Sequence, residues 1–530
     1  MNQTEYVDRP QQRQYDPARL CFRRQFVLGP DFVNQFQQWN RLNIGRTLCA
    51  TVHPDLGTSQ ATSDEKSVTL LGFMLNPSNP EATDLDIVNG LLSDLQLNDN
   101  LDAFVESTSP FGGRWVLIVD NGREVRLFHD AAGLRQVFYT QCTASQTNWC
   151  ASDPGVIAEM LGLSVDTDAH SFIASYERLT REYWWPGDTS LYSAIRRLLP
   201  NHYLDLNTHS PQRYWPATDL PDLSLADCLQ RSSELLLRMM DSAHKRFRLA
   251  VTVTAGWDSR VALAATRDIR HDVMYFTLMY WELSPESDDI RIPSMLLRKL
   301  GLPHHVIACP STMRDEFARI YNRNVTTARE VYGTIAQGLF NAFPEGLVMV
   351  KGVVSEVARC WYRQRVPDAT SQTVTPRMLA QAVEMEENAF VLTAYNRWLA
   401  DINRTVNVDT LDLLFWEQRM GSWQAMSQLE WDIVQDVFTP FNCRTLLTQF
   451  LSVDRKYRSP QNPILYSELM KLLWPEVLSE PINPSKKKER VRTVIQQFVS
   501  DSPMRRFVPQ RMKRLGRRLL YPERRFSRER

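Results

Sequence analysis

The chain has 530 residues, with 61 Lys/Arg against 61 Asp/Glu, 23% charged and 10% aromatic residues. That length predicts two or more domains with large cores, and the composition excludes a disordered polyelectrolyte. No apolar run approaches the ~20 residues of a membrane span, and the polar start MNQTEYVDRPQQRQYDPARL lacks the apolar core of a secretion signal. The eight cysteines are scattered with no C-x-x-C pair, so neither zinc nor a disulfide framework is expected and a reducing cytoplasm fits.

Residues 1–20 read as a flexible polar arm. Residues 21–215 read as short strands with turns. Among them are Ser67–Leu75, Arg114–Val119 and Glu124–His129, the last two joined by Asn121-Gly122, a good hairpin turn. Trp184-Trp185, ahead of Pro186-Gly187, reads as a packed loop anchor. Pro216–Leu225 is the expected linker. Beyond it, longer helical patterns alternate with short apolar strands, an α/β signature. Cys228–His244, Ser259–Thr266 and Asp288–Leu300 read as helices, the last closed by Gly301. Leu249–Val253, Val273–Leu278, His304–Ile307 and Leu347–Val350 read as strands. His304 and His305, adjacent on a strand, point to opposite faces and read as packing residues rather than metal ligands.

Charge is unevenly spread. Residues 486–530 hold 16 Lys/Arg and four Asp/Glu, a net of +12, so the residues before them carry −12. Phe507, Leu515, Leu519, Leu520, Tyr521 and Phe526 interleave with the basic residues. The pattern suits a helix on an anionic membrane surface, which would place a cytoplasmic protein at the inner face of a membrane. Nucleic acid and a solvated tail are the alternatives.

The most informative stretch is RLAVTVTAGWDSR, Arg248–Arg260. A strand, a small-residue turn and a helix start make an anion site. The first N–H groups of the helix have no internal partner, and Thr254, Ala255 and Gly256 let a phosphate approach the backbone. Asp258 adds a carboxylate suited to Mg²⁺ beside that phosphate. An ordinary strand-to-helix turn capped by Asp or Ser is the competing reading. Trp257 either floors the site or caps the core.

The hexapeptide TAGWDS resembles the SGGxDS pyrophosphate loop of the ATP-pyrophosphatase fold, as found in asparagine synthetases. Phe111–Tyr139 is similar to the part of class II glutaminase domains that reads G-x-F-x-x-x-x-x-D…R-D-x-x-G-x-x-P-L-Y-Y. Cys150-Ala151-Ser152 matches that family's next small-residue strand. Thr189–Leu206 matches its closing segment, with Asn201 for the usual Gly, and Arg213-Tyr214-Trp215 matches its end. Asp288-Asp289 and His304-His305 stand where the family has its acidic pair and H-H. Over about residues 25–480 the chain thus resembles the asparagine synthetase family, on the branch with β-lactam synthetases and lasso-peptide cyclases.

That resemblance implies an α/β protein. An N-terminal Ntn-hydrolase-like αββα sandwich would occupy 21–215. A doubly wound parallel-sheet ATP-pyrophosphatase domain would occupy 225–480. It also implies an AMP-forming, ATP- and Mg²⁺-dependent ligase that adenylates a sugar, peptide or small amino acid carboxylate and forms an amide bond. Thr254, Ala255, Gly256, Trp257, Asp258 and Ser259 would hold pyrophosphate, and Phe276-Thr277 would meet adenine. The family's G-x-G-x-D-E motif appears as Gly352-Val353-Val354-Ser355-Glu356, with Glu356 at the Mg²⁺ or pyrophosphate site beside Asp258. Asp436 falls on the acidic position of E-x-R-x-P-F-L-D and is a substrate-pocket candidate, with core packing of its neighbours the alternative.

Two departures matter, and one residue reads two ways. Active relatives carry a late Lys where this chain has Pro463, leaving Arg359, Arg455 or Arg458 as replacements. Arg260 either adds charge near the phosphates or is a solvated helix residue. Glutaminases of this type use an N-terminal Cys, with thiol as nucleophile and α-amine as base, whereas this chain starts Met1-Asn2, and Cys21 lies in the unrelated context CFRRQ. The first domain is therefore expected to be a scaffold, with nitrogen from ammonia or a substrate amine. The other readings are a degenerate homologue acting as scaffold or nucleotide sensor, and an amidotransferase unmasked by cleavage before Cys21.

Overall fold

In the computed structural model of the chain, residues 4–7, 15–45, 48–63, 65–141, 148–402 and 405–484 are described, and the basic tail at 486–530 falls outside them. Alternating side chains build two antiparallel sheets first. One runs Ser210–Arg213, His202–Asp205, Val125–His129, Gly112–Asp120, Lys66–Leu75, Thr58–Ser63 from edge to edge. The other runs Ile195–Arg197, Phe138–Thr140, Cys150–Ala151, Phe26–Gly29, Leu48–Val52, Asn40–Ile44. Along Gly112–Asp120 the period of two is explicit. Val116 and Ile118 face Phe26, Leu28 and Val52 of the other sheet. Leu117 and Val119 face the opposite way, onto Ile87, Val88 and Leu91 of the helix Asp84–Leu97. On the far side, Val27, Phe138 and Ala151 pack against Val156 and Ile157 of the helix Pro154–Leu161. The layers are therefore helix, sheet, sheet, helix. Asn201 sits at φ +68°, a left-handed conformation that Asn tolerates in place of Gly.

The remaining sheet is parallel throughout. Its order is Thr4–Val7, His304–Ala308, Met274–Met279, Arg248–Thr252, Leu347–Val350, Val437–Phe438. Helices separate the strands in sequence, so the sheet winds outward from Arg248–Thr252 in one direction, then resumes at Leu347–Val350 in the other. The reversal lies between those two neighbours. In open α/β sheets, ligands bind in the crevice at the carboxyl ends of the strands where the order reverses. The long helix Leu225–Arg246, capped by Ser224, precedes the first of them.

The described parts of the expected arm, residues 4–7 and 15–20, are ordered elements. Thr4–Val7 adds to the parallel sheet beside His304–Ala308, the Tyr15 ring packs on Phe317 and Phe340, and Asp16 caps a short helix, Pro17–Leu20. The edge of a sheet offers unpaired N–H and C=O groups to any extended segment, and four residues are too few for alternation to be read. His304 is buried between the Thr277 and Ser294 hydroxyls, while His305 turns out to Glu5. The two do not share a ligand. Trp184 and Trp185 are buried anchors, as expected.

A buried ionic cluster joins the sandwich to the parallel sheet. Arg114 grips Asp432 with both terminal nitrogens, at 2.5 and 2.7 Å. Arg135 reaches Asp432 at 3.2 Å and Asp436 at 3.3 Å, and Arg24 pairs with Asp436 at 3.0 Å. A second junction sets Glu417, fully buried, between Arg213, Asn201 and Trp398. Removing one partner of a buried pair leaves an uncompensated charge, which costs about 3–5 kcal/mol. Asp432→Ala is therefore expected to lower stability by that amount in urea unfolding, well beyond a surface Asp→Ala control.

Candidate functional site

The strand Arg248–Thr252 delivers the chain into the loop at the order reversal. The helix Trp257–Ala264 follows with Gly256 as its N-cap, and no side chain caps it. Within the loop, the Thr254 and Ser259 hydroxyls lie 2.8 Å apart. Thr254 N–H donates to Ser259 Oγ at 3.1 Å, and Gly256 N–H donates to Thr254 Oγ1 at 3.1 Å. The hydroxyl that Thr254 keeps is thus what ties the turn. Ala255 N–H donates to Asp289 Oδ1 at 3.1 Å, so a carboxylate reaches the loop from the helix Asp288–Lys299. Trp257 is largely buried, and its indole N–H has no acceptor among the described residues.

The next strand places its own end against this loop. A Cβ on Gly352 would lie 2.3 Å from both the carbonyl carbon and the oxygen of Asp258. Only glycine permits that approach. Val354 then takes φ +77°, an outlying conformation for a β-branched residue. The short 3-10 turn Ser355–Arg359 begins there.

That turn determines the state of Asp258. The Ser355 hydroxyl donates to Asp258 Oδ1 at 2.7 Å, and Arg359 Nη1 pairs with Oδ2 at 2.7 Å. Arg359 is buried and is also held by the Pro460 carbonyl. Burial raises the Asp258 carboxyl above the usual carboxylate range, partly offset by Arg359 and Ser355. Glu356 Oε2 is buried with no partner. Burial, and then the neighbouring Asp258, push Glu356 up to about 8, so it carries a proton at neutral pH.

The place offers backbone N–H groups to an anion. The uncapped helix start and the glycine contact make a backbone cradle for an anion. The two candidate metal carboxylates are respectively engaged by an arginine and protonated. Among the described residues no three His, Cys, Asp or Glu converge as a metal site.

Of the three replacements for the late Lys, Arg359 is the one at the loop. Arg455 and Arg458 pair with Asp409 and Asp412 around a separate polar cavity of about 610 Å³. Arg260 is neither solvated nor at the loop's mouth. It is buried and donates to the Val477 and Glu480 carbonyls at 2.7 and 3.1 Å. Phe276 is wholly buried against Phe343, and the Thr277 hydroxyl is spent on Val253 O at 2.6 Å and on His304. Only backbone is left to meet a base there.

Asp436 belongs to the junction. It lies two residues before Phe438, the last residue of its strand, with its carboxylate held by Arg24 and Arg135. Burial pushes that carboxyl up, but Arg24, Arg135 and Arg114 outweigh it and hold it below its ordinary value. Cys21 has a described chain ahead of it. Asn324 clamps the flanking peptide through Leu20 O at 2.7 Å and Phe22 N at 2.6 Å. Burial raises the Cys21 thiol, the opposite of an activated nucleophile. Asp289, Lys351 and Arg419 are the residues near this site whose roles sequence reasoning missed. The Lys351-Gly352 dipeptide at a strand end was a readable signal for the second of these.

No protein-family profile matches the chain, and no curated protein matches it. Solved structures show similarity, among them two enzymes. One is the glutamine phosphoribosylpyrophosphate amidotransferase from B. subtilis complexed with ADP and GMP, at 10% identity and a TM-score of 0.20, covering 68% of this chain and 73% of that one. The other is described as the allosteric regulatory enzyme of purine biosynthesis, at 11% identity and a TM-score of 0.22, covering 69% and 76%. Superposition that slight carries no argument. The fold stands on its own strand order: a mixed α/β architecture of several sheets and helices. Among the described residues no helix is long and apolar enough to cross a membrane.

Two outcomes follow for the loop. Gly352→Ala forces backbone apart and is expected to cost at least ~1–3 kcal/mol, with loss of any ligand-induced stabilisation in thermal unfolding. Glu356 titrates near 4.5 when unfolded and about 8 when folded. The folded chain holds the extra proton between those values, so stability falls as pH rises through that window. Glu356→Gln should remove that part of the pH dependence in urea titrations run from pH 4 to 9.

Proposed function

We propose that the chain is an AMP-forming, ATP-dependent carbon–nitrogen ligase of the asparagine synthetase type. It would activate a carboxylate and join it to ammonia or to an amine on the substrate. The observation that carries this reading is the meeting of two strand-end loops at the order reversal of the parallel sheet, with Gly352 against Asp258. Catalysis of this kind is mostly positioning and charge stabilisation. ATP bound here would supply the activating adenylyl group, with pyrophosphate as the leaving group. The N–H groups of the first turn of Trp257–Ala264 would hold the departing pyrophosphate, and the Thr254–Ser259 hydroxyl pair would keep the loop in shape. Arg359 supplies positive charge at Asp258, and Glu356 has a proton to donate. The sandwich is read as an Ntn-hydrolase-like fold that serves as a scaffold, since Cys21 is neither terminal nor activated.

The Arg359–Asp258 pair favours a second reading, a nucleotide-sensing scaffold without chemistry. A cation locked on that carboxylate occupies the place where a catalytic metal would be expected. Exchange of labelled pyrophosphate into ATP, run against panels of sugar, peptide and amino acid carboxylates, separates the two. The ligase reading predicts carboxylate-dependent exchange that falls at least tenfold in Arg359→Met. ATP binding with no exchange for any carboxylate would leave the sensor.

A further inference from the structure

Beside the loop, two cations are held by aromatic rings instead of carboxylates. Lys351 Nζ lies 4.0 Å from the centre of the Trp431 ring. The guanidinium of Arg419 lies 3.7 Å from the centre of the Trp423 ring. Neither makes a hydrogen bond among the described residues. Arg419 has a carboxylate only at 3.9 Å, from Glu182, whose other oxygen accepts from the Tyr332 hydroxyl at 3.0 Å. The nearby Arg329 differs, being fully buried and neutralised by Glu430 at 2.6 Å.

These groups lie within electrostatic reach of one another. Glu356 and Glu182 each act electrostatically on Lys351, and Arg419 acts on Glu356 while lying beside Glu182. Two buried polar atoms at this place have no partner, Glu356 Oε2 and the indole nitrogen of Trp423. Arg419 and Trp423 project from Leu414–Gln424, an 11-residue π-helical stretch. Such winding is rare and concentrates at functional sites. All its other residues are buried, so the stretch opens outward only at this cation and its ring. A guanidinium stacked by its face keeps its N–H edge free for a planar anion. Lys351 immediately precedes Gly352, so the cluster adjoins the Thr254–Ser259 loop.

We propose that Lys351 and Arg419 form the subsite for the substrate's carboxylate, walled by Trp431 and Trp423, with Glu356 donating a hydrogen bond to the bound group. The assignment of that carboxylate as substrate rests on the ligase reading. The anion site itself rests on the geometry. Desolvation pulls the Lys351 amine down to about 7, so an anion beside it would restore its charge, and with the Arg419 guanidinium next to it a small carboxylate is the ligand that completes the cluster.

The test is ligand-observed NMR titration of the full chain with acetate and with succinate, with and without ATP. Saturable binding is expected in the wild type. It should weaken at least tenfold in Lys351→Met and in Arg419→Met and be largely restored in Lys351→Arg, with unfolding midpoints checked for each. Gly352→Ala should lose stabilisation by ATP yet keep carboxylate binding, which separates failure of the subsite from failure of the nucleotide reading. Absence of carboxylate binding, or binding equal in wild type and both methionine variants, would overturn the proposal.

Discussion

The position of every group at the candidate site depends on two carboxylates that lie outside it. Asp432 closes the helix Ala425–Trp431 and Asp436 immediately precedes the edge strand Val437–Phe438; Arg114 and Arg135 of the sandwich hold the first, Arg135 and Arg24 the second. That edge strand in turn registers Leu347–Val350, because Met349 N–H donates to Asp436 O and Lys351 N–H to Phe438 O. The register places Gly352 against the Asp258 backbone. A displaced arginine in the first module would therefore be felt at the loop of the second. Buried ion pairs are often no more stabilising than apolar replacements. What this cluster contributes is a defined orientation between two sheets, at the cost of three desolvated guanidiniums.

The site is built from constrained elements. A valine held at positive φ stores strain of about 1–3 kcal/mol, and it begins the turn that carries Ser355, Glu356 and Arg359. Those three side chains decide the charge of the place. Ser355 and Arg359 use the Asp258 carboxylate, Glu356 keeps a proton, and Asp289 has taken one loop N–H. The next basic groups lie one step further out, on Lys351, whose amine desolvation pulls down to about 7, and on Arg419, with Glu182 at 3.9 Å. An anion bound here would meet backbone at the loop and side chains beside it.

Much of this was legible in the sequence where a local pattern carries the physics. The strand, small-residue turn and helix of Arg248–Thr266 needed only propensity and glycine chemistry to be read, and the apolar β-rich runs of Ser67–Leu75 and Arg114–Val119, set off by turn residues, marked the sandwich strands. The relations that cross hundreds of residues were not legible. Thr4–Val7 looks like a polar arm because its partner, His304–Ala308, is some three hundred positions away and contributes only backbone. Asp436 reads as a pocket residue until Arg24 and Arg135 are seen on it. Arg260 reads as exposed because a helix start beside a phosphate loop is usually wet, yet the segment at Val477–Glu480 covers it. Arg359 could be named as a candidate cation, but choosing it over Arg455 and Arg458 required the fold. Nothing in the residues 414–424 signals π winding, which is set by packing on both sides.

The central claim is that the loop at Thr254–Ser259 is a polyphosphate site, and its most direct test is thermal unfolding of the full chain with ATP, pyrophosphate, AMP or no addition. A ligand that binds only the folded chain adds about 2.7 kcal/mol at a hundredfold excess over its dissociation constant. The account predicts raised midpoints with ATP and pyrophosphate and a much smaller change with AMP, since the contacts are to the phosphates and Phe276 is closed off in the core. No shift with either polyphosphate in a cooperatively folded protein would contradict it.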